Sequence, residues 1–191
     1  MLSLLMTTEG PSVKRPIDDA LIRRIATGDM DALHTLYSSV CDSLYGFILS
    51  VVKDPHDADD VLQEAMLKVY TKAGEYIPQG KPLAWIFTIA RHMALDKLRG
   101  RARIQPLEAI DGEAITLPGV EDVERRLLLE TLLNRLPEED RQILILHAVT
   151  GMKYREIAAV LELPSGTVRS RYHRAMERLK AIVKEEMTDD R

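Results

Sequence analysis

The segment Ser165–Lys180 reads SGTVRSRYHRAMERLK and sets Arg169, Arg171, Arg174, Arg178 and Lys180 against a lone acid, Glu177. Guanidinium groups gathered this way suit nucleic acid. An arginine in the first turns of a helix can bond guanine O6 and N7 in bidentate fashion, while others hold phosphates. A second concentration has the opposite sign: DPHDADDVLQE carries Asp54, Asp57, Asp59, Asp60 and Glu64. A third, from Lys81 to Arg103, holds Lys81, Arg91, Lys97, Arg99, Arg101 and Arg103 beside Asp96, together with Trp85. No nucleophile–base pair, metal-ligand set or phosphate-cradling glycine loop accompanies them, so neither an enzyme nor a cofactor is expected. The acids have a plain explanation as complements of a helix dipole, worth a few tenths of a kcal/mol each. That explanation fits Asp57 but not Gln63 and Glu64, a turn or more further in. A carboxylate metal site fits worse, because residues i and i+2 on a helix do not converge.

The elements that must carry these groups are helical. The chain has 191 residues, 46% hydrophobic but only 5% aromatic, and no stretch alternates with the period of a strand. An all-α protein is expected. Helical patterns cover Asp18–Ala26, Met30–Val52, a segment opened by Asp54-Pro55 and running to about Ala73, and Leu83–Arg99. Asp54 is placed as N-cap and Pro55 as first helical residue. The punctuated stretch Gly74–Pro82 separates the last two. A second set covers Glu121–Arg135, Glu138–Thr150, Tyr154–Leu161 and Ser165–Glu186. The expected layout is a leader at 1–16, a helical domain at 17–100, a flexible linker at 101–120 and a second helical domain at 121–187. Cys41 reads as a small buried hydrophobe. The leader lacks a basic segment ahead of its apolar run, and no apolar run approaches the length that spans a bilayer, so a cytoplasmic protein is expected.

Tyr154–Lys180 has the layout of a helix-turn-helix: a short helix, a Glu-Leu-Pro turn and a longer helix opened by Ser165. In the second helix Val168, Tyr172, Ala175, Met176, Leu179, Ile182 and Val183 recur at helical spacing and face the core. Arg169, Ser170, His173, Arg174 and Glu177 are left outward, with Thr167 at the N-terminal end, and Arg171, Arg178 and Lys180 are placed for phosphates. Small Ala158 and Ala159 mark the crossing of the two helices. The formal net charge of −4 is no objection, because local field governs attraction to phosphate. Glu162 stands at the turn position where such motifs usually have glycine. A positive φ there costs about 1 kcal/mol.

Taken together the motifs resemble those of extracytoplasmic-function (ECF) sigma factors. The family's D-A-x-D-L-x-Q-E pattern is met at Asp57–Glu64, and its W-L-x-x-I-A-x-N-x-x-x-D-x-x-R pattern at Trp85–Arg99, with Ile86 for Leu and His92 for Asn. The last pattern is met at Leu136-Pro137, Arg141, Gly151, Tyr154, Glu156–Ala158, Gly166–Val168, Ser170-Arg171 and Arg174-Ala175. The resemblance spans about Asp18–Lys184. It implies that Asp57, Asp60, Gln63 and Glu64 dock on a coiled coil of the polymerase β′ clamp. It further implies that Tyr76, Lys81, Arg91, His92, Lys97 and Arg99 serve the −10 promoter element as single strand. Thr167, Arg169, Ser170, Arg171, His173, Arg174 and Arg178 would serve the −35 element. Core polymerase, including its β flap, promoter DNA and an anti-sigma factor are the implied partners, with membrane contact only through a membrane-bound anti-sigma factor. From the residues alone a stand-alone helix-turn-helix regulator or a protein-binding adaptor stays open.

Overall fold

A computed structural model describes residues 17–104 and 133–189, and among them there are helices and no strands. The leader, the expected linker beyond its first four residues and most of the Glu121–Arg135 helix lie outside the described residues; residues 101–104 are helical. Helices α1 (Asp19–Ala26), α2 (Met30–Val52), α3 (Pro55–Lys72) and α4 (Pro82–Ile104) form the first unit, with a 3₁₀ turn at Ala73–Glu75. Helices α5 (Glu138–Leu144), α6 (Tyr154–Leu161) and α7 (Ser165–Asp189) form the second, with a π turn at Ile145–Val149 continuing α5.

Local chemistry sets the helix starts. Asp29 accepts from the Ala32 amide at 3.0 Å and Asp54 from the Asp57 amide at 3.0 Å, so each cap satisfies an orphan donor of the first turn. Pro55 stands at the start of α3, where its missing N–H costs nothing. Helix α4 runs on past the expected end at Arg99 to Ile104. Arg101 supplies a reason: its guanidinium lies 3.4 Å from Asp54 and 3.3 Å from Asp57, tying the extra turn to the start of α3.

The first core is built from Leu36, Val40 and Leu44 of α2, Ala58, Val61 and Ala65 of α3, and Ile86, Phe87 and Ala90 of α4. Phe47 and Phe87 meet edge to face with centroids 5.4 Å apart. Helix α2 corrects one expectation, because by length and composition it can cross a membrane; yet 56% of its most apolar window is buried inside the protein, as in a core helix.

The two units do not stand apart. Ile143, Ile145, Leu146, Met152, Ile157, Val160 and Val168 belong to the same buried cluster as the first core, and α4 packs against α6. Lys53, in a left-handed C-cap of α2, reaches Glu138 of α5 at 3.0 Å. The two helical domains are as expected and share an apolar contact, while Leu136, Leu144 and Ala175 form a second buried cluster inside the second unit.

Candidate nucleic-acid and polymerase interface

Helix α7 divides its cations into two sets. Val168 and Ala175 are buried, and Tyr172, Met176, Leu179, Ile182 and Val183 are half-buried, so the apolar stripe faces inward as its spacing requires. Arg169, Ser170, His173 and Arg174 are exposed. Arg169 and Arg174 make no ion pair among the described residues. Arg171 and Arg178, by contrast, close on α5: Arg171 lies 2.6 Å from Glu139 and 3.3 Å from Asp140, and Arg178 lies 2.9 Å from Asp140. The Asp140 side chain is only 5% exposed. Both arginines are thus held by α5 acids, where sequence reasoning turned them toward phosphate. Thr167 is half-buried and its carbonyl accepts from the Ser170 hydroxyl at 3.0 Å. Of the alanines at the helix crossing, Ala158 is buried and Ala159 exposed.

Glu162 takes φ 57 and ψ 40, the left-handed conformation. The carboxylate on this strained turn reaches the first unit. Its oxygens lie 3.2 Å from His92 Nε2 and 3.3 Å from Arg91 Nη1, both on α4. The His92 hydrogen bond first, then the Arg91 charge, hold the Glu162 carboxyl below its ordinary range. Arg91 Nη1 is enclosed and has no hydrogen bond, so this ion pair is off the hydrogen-bonding line. Glu162 and His92, two of the positions noted as departing from the family pattern, touch each other.

Lys97, Arg99 and Arg101 of α4 are also engaged. Lys97 lies 3.0 Å from Asp60 and 3.3 Å from Asp57, and its ammonium is pushed up by the Asp60 hydrogen bond first. Arg99 pairs within its own helix with Asp96 at 3.0 Å. Asp57 and Asp60 are therefore shared with α4, whereas Gln63 and Glu64 are exposed and, among the described residues, make no ion pair or hydrogen bond through their side chains. A turn beyond them, Leu67 is 63% exposed at the edge of an apolar groove of about 520 Å³ between α2 and α3. Met30, Leu33, His34, Tyr37, Met66 and Tyr70 complete it.

The segment between the 3₁₀ turn and α4 is tied at both ends to α1. Tyr76 Oη donates to Asp19 Oδ1 at 2.6 Å, and the Gly80 amide donates to Asp19 Oδ2 at 2.9 Å. The Tyr76 ring leans on half-buried Trp85, centroids 5.0 Å apart, and Lys81 is exposed. Sequence reasoning found Tyr76 and Lys81 but missed Asp19, whose partners lie 57 and 61 residues away. Among the described residues no group of three or more His, Cys, Asp or Glu is arranged to hold a metal ion.

Acidic helix, basic helix and helix-turn-helix in this order define a class, and comparison with known proteins gives the same one. The family described as sigma-70 region 2 matches residues 36–104, and sigma-70 region 4 matches 126–179. The chain belongs to the sigma-70 family, in its extracytoplasmic-function group. The RNA polymerase sigma-H factor of Pseudomonas aeruginosa is 33% identical over 174 residues, covering 84% of this chain and 90% of that protein. The ECF RNA polymerase sigma factor SigD of Mycobacterium tuberculosis is 32% identical over 193 residues, covering 94% and 87%. Among solved structures, the sigma factor RpoE in complex with the anti-sigma factor NepR from Bartonella quintana aligns with TM-score 0.61. It is 25% identical and covers 79% of this chain and 96% of that one. CnrH, solved with the cytosolic domain of CnrY, shares the fold at TM-score 0.62 and 24% identity, with 88% and 97% covered.

Proposed function

We infer that this ECF sigma factor divides its work among three surfaces. The exposed start of α7, with Arg169, Ser170, His173 and Arg174, reads the −35 element in the major groove. Thr167, Arg171 and Arg178 support that helix more than they contact DNA. The Tyr76–Lys81 loop and α4 serve the unpaired −10 strand. Gln63 and Glu64, with Asp57 and Asp60 beside them and Leu67 one turn on, dock core polymerase. Region 2 takes 17–104, four residues more than expected because α4 continues to Ile104, the tether takes 105–120 and region 4 takes 121–187. The protein acts in the cytoplasm as an initiation factor with no chemistry of its own.

The observation that carries the reading is the partition of α7. Arg169 and Arg174 stand free on the outer face while their neighbours are held inside, and a free guanidinium binds DNA without first breaking an ion pair. The solved RpoE–NepR pair, a relative caught with its anti-sigma factor, supports control by a protein partner. Such a partner would cover these faces.

The test is run-off transcription by purified core polymerase with and without the protein. Wild type should initiate at a defined promoter, Arg174→Ala should lose −35 dependence, and Glu64→Lys should lose binding to core in a pull-down. Tight duplex binding by the protein alone, with no transcription on adding core, would instead favour a stand-alone regulator.

A further inference from the structure

We propose that Asp19 is a positioning residue for promoter reading: its carboxylate staples the two ends of the Tyr76–Gly80 loop, fixing the shape in which the loop meets an unstacked base. The inference rests on the reading that this loop contacts the −10 strand.

Asp19 has a simple alternative role, as an acid in the first turn of α1 complementing the helix dipole. The structure gives the capping work to its neighbour: Asp18 Oδ1 accepts from the Leu21 amide at 2.9 Å. Asp19 turns away from its own helix instead. Oδ1 takes the Tyr76 hydroxyl and Oδ2 the Gly80 amide, so both oxygens are spent on one loop, at opposite ends. The Tyr76 bond first, then the Gly80 bond, hold this carboxyl below its ordinary range.

The loop needs such a brace. Ile77 through Lys81 are exposed, Ile77 to 70%. Gly80 takes φ +67, which aims its N–H at Asp19 and which a residue with a β-carbon adopts only under strain. Helix α1 anchors the brace through Ile22 and Ile25, both buried. Tyr76 passes the restraint to Trp85 at the start of α4. The result is a tip in water on pinned ends, a loop whose ordering cost is met before a base arrives. The region 2 match begins at residue 36, so it does not include Asp19.

The chemistry singles out Asp19→Ala as the decisive variant. An amide of the same shape could still take the Gly80 N–H on its oxygen and donate its own N–H to the Tyr76 hydroxyl, which both donates and accepts. Removing the side chain opens both arms. Tyr76→Phe removes one arm of the staple and leaves the other.

The experiment uses the full chain with core polymerase on a promoter library randomised across the −10 element, with transcripts sequenced to give base preference. Both variants should lower the preference at the loop-read base by roughly tenfold, within the range for one lost base discrimination. Core binding and −35 preference should stay at wild-type levels. Emission from Trp85, the chain's single tryptophan, should shift in both variants. If Asp19→Ala and Tyr76→Phe keep wild-type base preference while Tyr76→Ala or Gln79→Ala destroys it, the staple is overturned and loop reading stands. If Tyr76→Ala, Gln79→Ala and Lys81→Ala also keep it, the loop does not read the strand, and both fall. A lowered melting temperature with preference intact would make Asp19 merely structural and would equally overturn the proposal.

Discussion

Arg178→Ala separates an arginine that supports the recognition helix from one that uses it. Asp140 is buried, with Arg178 on one oxygen at 2.9 Å and Arg171 on the other at 3.3 Å. Arg171 is drawn more closely to Glu139, at 2.6 Å. Removing Arg178 thus leaves a buried carboxylate with one distant, shared cation. A charge-assisted hydrogen bond of this kind contributes about 1.5–3 kcal/mol. The Arg178 side chain is 50% exposed, so solvent screening takes roughly half of that, leaving about 0.7–1.5 kcal/mol. For a chain of this length each kcal/mol moves the melting temperature by about 2–4 °C, so a fall of roughly 2–6 °C is expected. Arg174→Ala removes an exposed side chain with no ion partner. It should change stability by no more than about 0.5 kcal/mol while costing about 1–3 kcal/mol of −35 discrimination. Thermal melting by circular dichroism and duplex binding by fluorescence anisotropy, run on both variants, give four numbers. Equal melting temperatures, with Arg178→Ala losing as much sequence discrimination as Arg174→Ala, would refute the division of α7 into held and free cations.

Phe87→Ala removes a fully buried ring in edge contact with Phe47 and should cost about 3–5 kcal/mol in urea unfolding. The carboxyls of Asp19 and Glu162 lie below their ordinary values of 3.8 and 4.5, so each contributes stability above that value and loses it as pH falls through its own lowered value. Melting temperature should therefore drop on acidification below about pH 4.5, and Asp19→Asn combined with Glu162→Gln should drop less steeply; an unchanged acid slope speaks against both sites. Glu162→Gly relieves the left-handed backbone but forfeits the pairs with Arg91 and His92. Its melting temperature relative to wild type should be highest in high salt, where those pairs are already screened, and should decline as salt is removed; a difference independent of salt would leave the interdomain pairs without effect.

The helices were legible because their causes are local. Asp54-Pro55 writes a helix start, the apolar stripe of α7 writes its inward face, and Gly74–Pro82 cannot continue a helix through its prolines and glycines. Helix α3 spans the segment read for it, ending at Lys72 where about Ala73 was expected, and buries Ala58, Val61, Leu62, Ala65 and Val69. What escaped was every pairing fixed by distance along the chain. Arg171 and Arg178 are as basic as Arg169 and Arg174, and only the packing of α5 against α7 shows which of them meet Glu139 and Asp140. Helix α4 was expected to end at Arg99, yet Arg101 beyond it has acids to reach on α3. Glu162 was readable as an anomaly of backbone conformation, but its partners on α4 lie 70 residues from it in the case of His92.

That last contact bears on how the first unit meets DNA. Arg91 and His92 are engaged by Glu162, Lys97 by Asp57 and Asp60, Arg101 by Asp54 and Asp57, and Arg99 by Asp96. Helix α4 therefore presents a basic sequence but a largely neutralised surface. On the proposed reading, each phosphate it takes up is an exchange in which an internal acid loses its cation. Affinity gained that way is smaller than for a free cation, because the attraction of the abandoned carboxylate is subtracted from it. The two sets of acids respond differently. Asp57 and Asp60 belong to the face assigned to core polymerase, so docking there offers them new cations and frees Lys97 for the strand. Glu162 has no such replacement, and Arg91 and His92 become available only when α6 leaves α4. Occupation of the acidic face and separation of the two units would thus each raise the positive potential of α4. The physical consequence is an order of events: a helix that holds DNA poorly in the closed molecule holds it well once polymerase has taken its acids and the recognition helix has moved to its own site.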